Sequence, residues 1–173
     1  IFKRWGVSYT NDPFMLACDF SEMYGLRCLH KNGNWRSLLK LDRPAVLTLI
    51  NEVGETLYFG LLAIEGEEAL VSHQSETFWV ALDEIDRYWL GEYSVVWKLP
   101  PYKSQVITPG QNREEEWLRS NLARLNSSKH FIGDSLESQV KRFQLSVGLI
   151  PDGIVGSMTI IHMNSRLRFD CPK

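Results

Sequence analysis

The sequence predicts an α+β protein in two parts, and three observations carry that expectation. Apolar runs of strand length, rich in β-branched and aromatic residues, recur from Ala45 to Leu99. Helical periodicity replaces them from Arg113 to Leu167. Between the two, Pro100-Pro101 and the polar stretch through Thr108-Pro109-Gly110-Gln111 read as a linker. The expected parts are 1–104, with an antiparallel sheet, and 105–173, a small three-helix unit, joined near 103–110.

Composition fits this reading. At 173 residues, 44% hydrophobic and 23% charged, the chain is sized for one domain or two small ones, and disorder is not expected. No apolar run approaches the roughly 20 residues needed to cross a bilayer, and Ile1-Phe2-Lys3-Arg4-Trp5 has none of the regions of a secretory signal. With no initiator Met, the chain is expected to be a processed product or an excised piece. Residues 1–104 hold 10 basic against 14 acidic side chains and 105–173 hold 9 against 7. That balance, a pI near 6.1 and the lack of a basic block argue against nucleic acid.

Along the chain, Pro13 to Tyr24 places Phe14, Ala17, Cys18, Phe20, Met23 and Tyr24 at helical spacing, after Asn11-Asp12-Pro13 and before Gly25. Asn32-Gly33-Asn34 is a turn and Trp35 to Leu41 a second short segment. Residues 45–50 and 56–64 form a hairpin across Asn51–Glu55, and Ala69–Ser72, Thr77–Ala81 and Tyr93–Leu99 continue the sheet. Leu82 to Trp89 reads as a helix packed by Ile85 and Trp89. In the second part Trp117, Leu118, Leu122 and Leu125 share a helix side. A second helix starts at Asp134, with Glu137 completing a capping box, and buries Leu136, Val140, Phe143 and Val147 before Gly148 closes it. A tight turn over 149–156 leads to a third helix capped by Ser157 and carrying Met158, Ile161 and Leu167.

Chemistry-bearing residues are sparse. Cys18, Cys28 and Cys171 lack the paired spacing of a zinc site, so no metal and no cofactor are expected. By residues alone the three thiols are either idle or include a Cys18–Cys28 disulfide. His73 on a loop could serve Cys18 or Cys28 as base, the basis of an alternative reading as a cysteine hydrolase of wall or peptide substrates. His30, His130 and His162 show no partner pattern. Trp79, Trp89 and Trp97 read as core or interface rather than a sugar platform, and Glu65, Glu67 and Glu68 as a solvated cluster.

The C-terminal motif Val140-Lys141-Arg142-Phe143-Gln144, Val147-Gly148-Leu149, Pro151-Asp152-Gly153-Ile154-Val155-Gly156 and Thr159 resembles the second half of the three-helix peptidoglycan-binding domain. Phe143 faces the core, Gly153 and Gly156 permit conformations closed to other residues, and Asp152 bonds the turn's own amides. Gly148 and Thr159 complete these shape-holding positions. The resemblance implies that Arg142, Gln144, Asp152 and Ser157 contact the peptide stem and sugar of peptidoglycan.

Earlier in the chain, Arg43–Leu47, Tyr58–Leu62, Leu82–Trp89 and Tyr93–Trp97 resemble the second half of the bacteriocin-processing cysteine peptidases, a papain-like fold. Those enzymes need a thiolate, a histidine and an orienting Asp or Asn. Here the histidine position reads Tyr58, the acid position falls near Ser72-His73, and Cys18 lacks the family's lead sequence. The resemblance therefore implies a degenerate peptidase with no catalytic residues.

Together with Ala17-Cys18, Gly25–Leu29, Trp89–Tyr93 and Trp97–Pro100, both segments resemble the periplasmic region of the general secretion pathway A family of type II secretion. That implies a periplasmic, non-catalytic region of an inner-membrane protein, without membrane contact of its own. It further implies binding to peptidoglycan and to general secretion pathway protein B, and self-association that helps the secretin assemble. It also favours the Cys18–Cys28 disulfide.

Overall fold

The successive apolar runs from Ala45 to Ala81 become hydrogen-bonded neighbours in one sheet. The computed structural model describes residues 1–9, 17–74, 76–101, 112–125 and 135–167. A 3-10 turn at Phe2–Trp5 precedes α1 (Ala17–Glu22), β1 (Leu26–Asn32), α2 (Trp35–Leu41), β2 (Ala45–Ile50) and β3 (Thr56–Glu65). These lead into β4 (Glu68–His73), β5 (Glu76–Ala81), α3 (Leu82–Asp86) and β6 (Trp89–Lys98). The sheet order is β1-β6-β2-β3-β4-β5.

The central strand β2 buries Ala45, Leu47 and Leu49 and leaves Val46 and Thr48 half-buried, the period-two pattern of a strand with one dry face. It pairs antiparallel with β3 from Ala45↔Leu61 to Ile50↔Thr56 and with β6 through Ala45↔Val95 and Leu47↔Tyr93. Strands β3, β4 and β5 continue as antiparallel hairpins. Leu38 and Leu41 of α2 join Leu47, Leu61, Val71, Val95 and Trp97 among the buried residues. Each such side chain contributes about 1.5–3 kcal/mol when fully removed from water. Asn34 caps α2 by accepting from the Ser37 N–H at 3.1 Å. A satellite cluster of Val7, Leu26 and Val96, flanked by Phe2, Trp5, Phe20 and Cys28, packs near α1 and β1.

The chain divides into two compact units, one over Ile1–Trp97 and one that begins at Lys98. The helical unit holds α4 (Asn112–Leu125), α5 (Leu136–Ser146) and α6 (Ser157–Leu167). Leu118 and Leu122 of α4, Leu136, Val140 and Phe143 of α5, and Ile160, Ile161 and Met163 of α6 are buried. An α+β class with an antiparallel sheet and a helical C-terminal unit is what the sequence predicts.

Several elements differ from expectation. Of the helix expected over 13–24 only Ala17–Glu22 is described as helix, residues 10–16 lie outside the described residues, and Met23 and Tyr24 are exposed. Strand β1 was not foreseen, because Arg27, His30 and Lys31 give it no period-two apolar pattern; pairing within the sheet decides its conformation. The helix expected to reach Trp89 stops at Asp86, and Trp89, buried as foreseen, opens β6. Asp134 lies outside the described residues, and the observed cap of α5 is Ser135, whose Oγ accepts from the Ser138 N–H. Ser157 is the first residue inside α6 rather than its cap. The whole of the expected linker at 103–110 and Cys171 also lie outside the described residues.

Candidate functional site

The turn between α5 and α6 begins with a helix stop dictated by glycine. Gly148 adopts φ +77°, the Leu149 N–H donates to the Gln144 carbonyl at 2.8 Å and the Gly148 N–H to the Leu145 carbonyl at 3.1 Å. This is the paired 6→1 and 5→2 bonding of a Schellman ending. It turns the chain back over the last turn of α5.

Gln144 then organises the loop from inside. Its side chain is only 2% exposed, and its amide nitrogen donates to Asp152 Oδ1 at 2.8 Å and to the Ile154 carbonyl at 2.9 Å, with Thr159 Oγ1 at 3.3 Å. Its amide oxygen accepts from the Gly153 N–H at 2.9 Å. Asp152 Oδ1 also accepts from the Ile154 N–H at 2.8 Å, an Asx turn. Those two bonds, the Ile154 N–H foremost and the Gln144 amide next, hold the Asp152 carboxyl below the usual carboxylate range, and the Lys141 charge adds to them. A carboxylate fixed in this way stays ionised and exposed at the surface of the turn.

Lys141 is a contributor that the sequence reading missed. Its Nζ lies 2.6 Å from Glu137 Oε1. Gly153 sits directly over this pair at φ +81°, where a Cβ would come within 2.8 Å of Glu137 Cγ and 3.1 Å of Lys141 Cε. The i,i+4 spacing of Glu137 and Lys141, one turn before Gln144, was the available signal.

Of the residues singled out from sequence, Gln144, Asp152, Gly153 and Thr159 are brought together, with Thr159 buried beneath the turn. Phe143 is buried in the core, Arg142 is exposed on α5 and Ser157 is half-buried at the start of α6. Two expectations change in physical content. Gln144 was expected as a ligand contact, yet its amide groups are engaged within the turn. Gly156 was expected to need glycine's conformations, yet it has no positive φ and open space where a Cβ would stand.

The arrangement of the alternative hydrolase is not assembled. Cys18 and Cys28 are joined as a disulfide, Cα–Cα 5.6 Å, so neither presents a thiolate while the bond stands. His73 lies on β4, four strand spacings from Cys28 on β1, which is roughly 19 Å at about 4.8 Å per step. Its ring stacks on Phe59, with Nδ1 3.2 Å from the Tyr58 carbonyl. Trp89 and Trp97 are buried, as a core role requires, while Trp79 is 44% exposed.

Residues 115–163 match the family model described as "Putative peptidoglycan binding domain", a span that includes the whole turn. Over its full length the chain is 28% identical to General secretion pathway protein A of Aeromonas hydrophila, aligning with 32% of that protein, so it spans about a third of this curated relative. A periplasmic domain of the EpsAB fusion protein of the Vibrio vulnificus type II secretion system superposes with a TM-score of 0.60 at 22% identity, covering 94% of this chain and 73% of that one. The peptidase domain of Streptococcus ComA gives a TM-score of 0.44 at 10% identity over 56% of this chain and 84% of its own. The chain is thus similar along its whole length to general secretion pathway protein A, shares its fold with a periplasmic domain of a type II secretion system, and matches a peptidoglycan-binding domain over 115–163.

Proposed function

We propose that this chain is a wall-binding, non-catalytic scaffold region of a type II secretion assembly, working in the periplasm. The match of residues 115–163 to a peptidoglycan-binding domain carries the reading, and the locked turn supplies its geometry. A rigid loop lowers the entropy cost of binding a stem peptide, because its polar groups are already ordered. Asp152 offers a fixed anion, and Lys141 and Arg142 on α5 offer cations for the free carboxylates of wall peptides. Ser157 adds a hydroxyl at the far end of the turn. Gln144 serves by holding the loop's shape, and with it Asp152.

The degenerate peptidase-like unit, expected at 1–104 beside a wall-binding unit at 105–173, then presents protein surface. General secretion pathway protein B and further copies of the chain are its proposed partners, and assistance to secretin assembly is the proposed outcome.

Co-sedimentation with purified insoluble peptidoglycan tests the wall-binding core of this reading. The parent chain should pellet with the wall, and folded Arg142→Ala and Asp152→Ala variants should remain largely in the supernatant. A parent that stays in the supernatant would overturn it in favour of a purely protein-binding role.

A further inference from the structure

The disulfide closing α1 onto β1 has a histidine aimed at one of its sulfurs. His30 Nε2 lies 3.9 Å from Cys18 Sγ, and His30 Nδ1 lies 2.6 Å from Ser94 Oγ on β6. Ser94 thus fixes the ring plane, and the free edge of the imidazole faces sulfur. A disulfide sulfur is a weak acceptor and gains little from this contact, but a thiolate in the same place gains a charge-assisted hydrogen bond. The arrangement is therefore suited to the reduced state more than to the oxidised one. Both cysteines are half-buried and His30 is exposed, so a small reagent or a protein surface can reach the bond.

We propose that Cys18–Cys28 is an exchangeable disulfide, a thiol–disulfide exchange site whose substrate class is a dithiol, with His30 and Ser94 receiving Cys18 as the leaving thiolate. An incoming thiolate attacks Cys28 Sγ, forming a mixed disulfide there as the Cys18–Cys28 bond breaks. Its electron pair departs on Cys18 Sγ, which hydrogen-bonds to His30 Nε2–H. The second thiol of the dithiol, as thiolate, then attacks its own sulfur in the mixed disulfide and releases Cys28 as a thiolate. Two electrons pass from the dithiol to the protein, and the dithiol leaves as a disulfide. Attack at Cys28 is favoured because the better stabilised thiolate is the better leaving group.

The other charged side chains on these elements are Asp19 and Glu22 on α1, Arg27 and Lys31 on β1, and Glu92 and Lys98 on β6. Glu22 and Arg27 pair with each other at 3.3 Å, which limits their net field at the sulfurs. His30 is the group bonded towards Cys18.

Single-thiol chains read the proposal directly. In a Cys171→Ser background, Cys28→Ser leaves Cys18 alone and Cys18→Ser leaves Cys28 alone. With iodoacetamide near pH 7, Cys18 should react about threefold faster than Cys28, because the hydrogen bond raises its thiolate fraction more than it lowers the thiolate's nucleophilicity. His30→Gln should remove that advantage, Ser94→Ala should reduce it, and in urea the two thiols should react at equal rates. In the intact chain, His30→Gln should slow reduction by dithiothreitol. Equal reactivity of the two thiols in the folded chain, or an advantage that survives His30→Gln, would overturn the proposal.

Discussion

Gly33 and Gly91 meet backbone to backbone: the Gly33 N–H donates to the Gly91 carbonyl at 2.9 Å, and a Cβ on Gly91 would stand 2.6 Å from the Gly33 carbonyl oxygen. Gly91 adopts φ +92° inside a bulge of β6, where Leu47 faces Tyr93 but Leu49 faces Trp89. Left-handed backbone and close approach both require glycine there. Gly91→Ala should therefore destabilise the sheet unit by about 2–4 kcal/mol, combining a positive-φ penalty with steric overlap. Denaturant unfolding checks this, and a change below about 0.5 kcal/mol would show that the bulge relaxes.

Removing the Gln144 amide strands several hydrogen-bond partners in the turn at once. Gln144→Ala leaves the Gly153 N–H without its acceptor and the Ile154 carbonyl without its best-placed donor. A cost of about 1–3 kcal/mol per stranded group gives roughly 2–4 kcal/mol, since the loop is near enough to the surface for water to compensate in part. Gln144→Glu restores the acceptor for the Gly153 N–H but sets a carboxylate against Asp152 and the Ile154 carbonyl, and near neutral pH it should cost at least as much as alanine. Thermal unfolding should place the parent above both variants.

The Cys18–Cys28 bond closes a short loop, with the two residues separated by 10 in sequence. By the chain-entropy account its loss costs about 3 kcal/mol. Parallel melts with and without reductant should show the sheet unit less stable when reduced, with a Tm lower by roughly 10 °C or more. A Cys18→Ser/Cys28→Ser chain should melt like the reduced parent.

Acid should loosen the turn. Asp152 is held below its ordinary value by the Ile154 N–H and the Gln144 amide, so the folded turn favours the ionised form. A depressed folded-state value means that the stabilisation is fully present above the unfolded-state titration, near pH 4, and is lost as pH falls through the folded-state value. Glu137, lowered by its bond to Lys141 and then by that residue's charge, behaves in the same direction. Side-chain NMR titration should place Asp152 below an unstructured aspartate, and Asp152→Asn should flatten this acid limb. A normal titration midpoint would contradict the hydrogen-bonded geometry.

How much of this was legible in sequence depended on whether local pattern or distant pairing fixed the residue. The β2–β3 hairpin was readable because Ala45–Ile50 and Thr56–Ile64 are apolar runs of strand length joined by the polar turn Asn51–Glu55. So was the end of α5, because Gly148 marks it. Strand β1 was not, since its conformation is imposed by the sheet and its polar residues carry no strand signature. Gln144 was found as a motif position, but its bonds within the turn were not legible. An amide that looks like a ligand donor in a one-dimensional motif can only be recognised as internal once Asp152, Gly153 and Ile154 fold back over it. Lys141 was overlooked for the same reason, being brought to Gly153 by the turn rather than by sequence adjacency. His30 was dismissed because Ser94, its partner, is 64 residues away.

Strand β5 pairs with β4 and is the last in the sheet order, with Glu76 to Trp79 exposed, whereas β2 lies between β6 and β3 with three of its six residues buried. Every second amide of β5 consequently has no strand partner among the described residues and should exchange by local fraying, while those of β2 should be released only when the whole unit opens. The sheet therefore carries a gradient of amide lifetimes, short at β5 and longest at its centre. Partner binding at this edge would register as slowed exchange in β5 long before it altered the stability of the core.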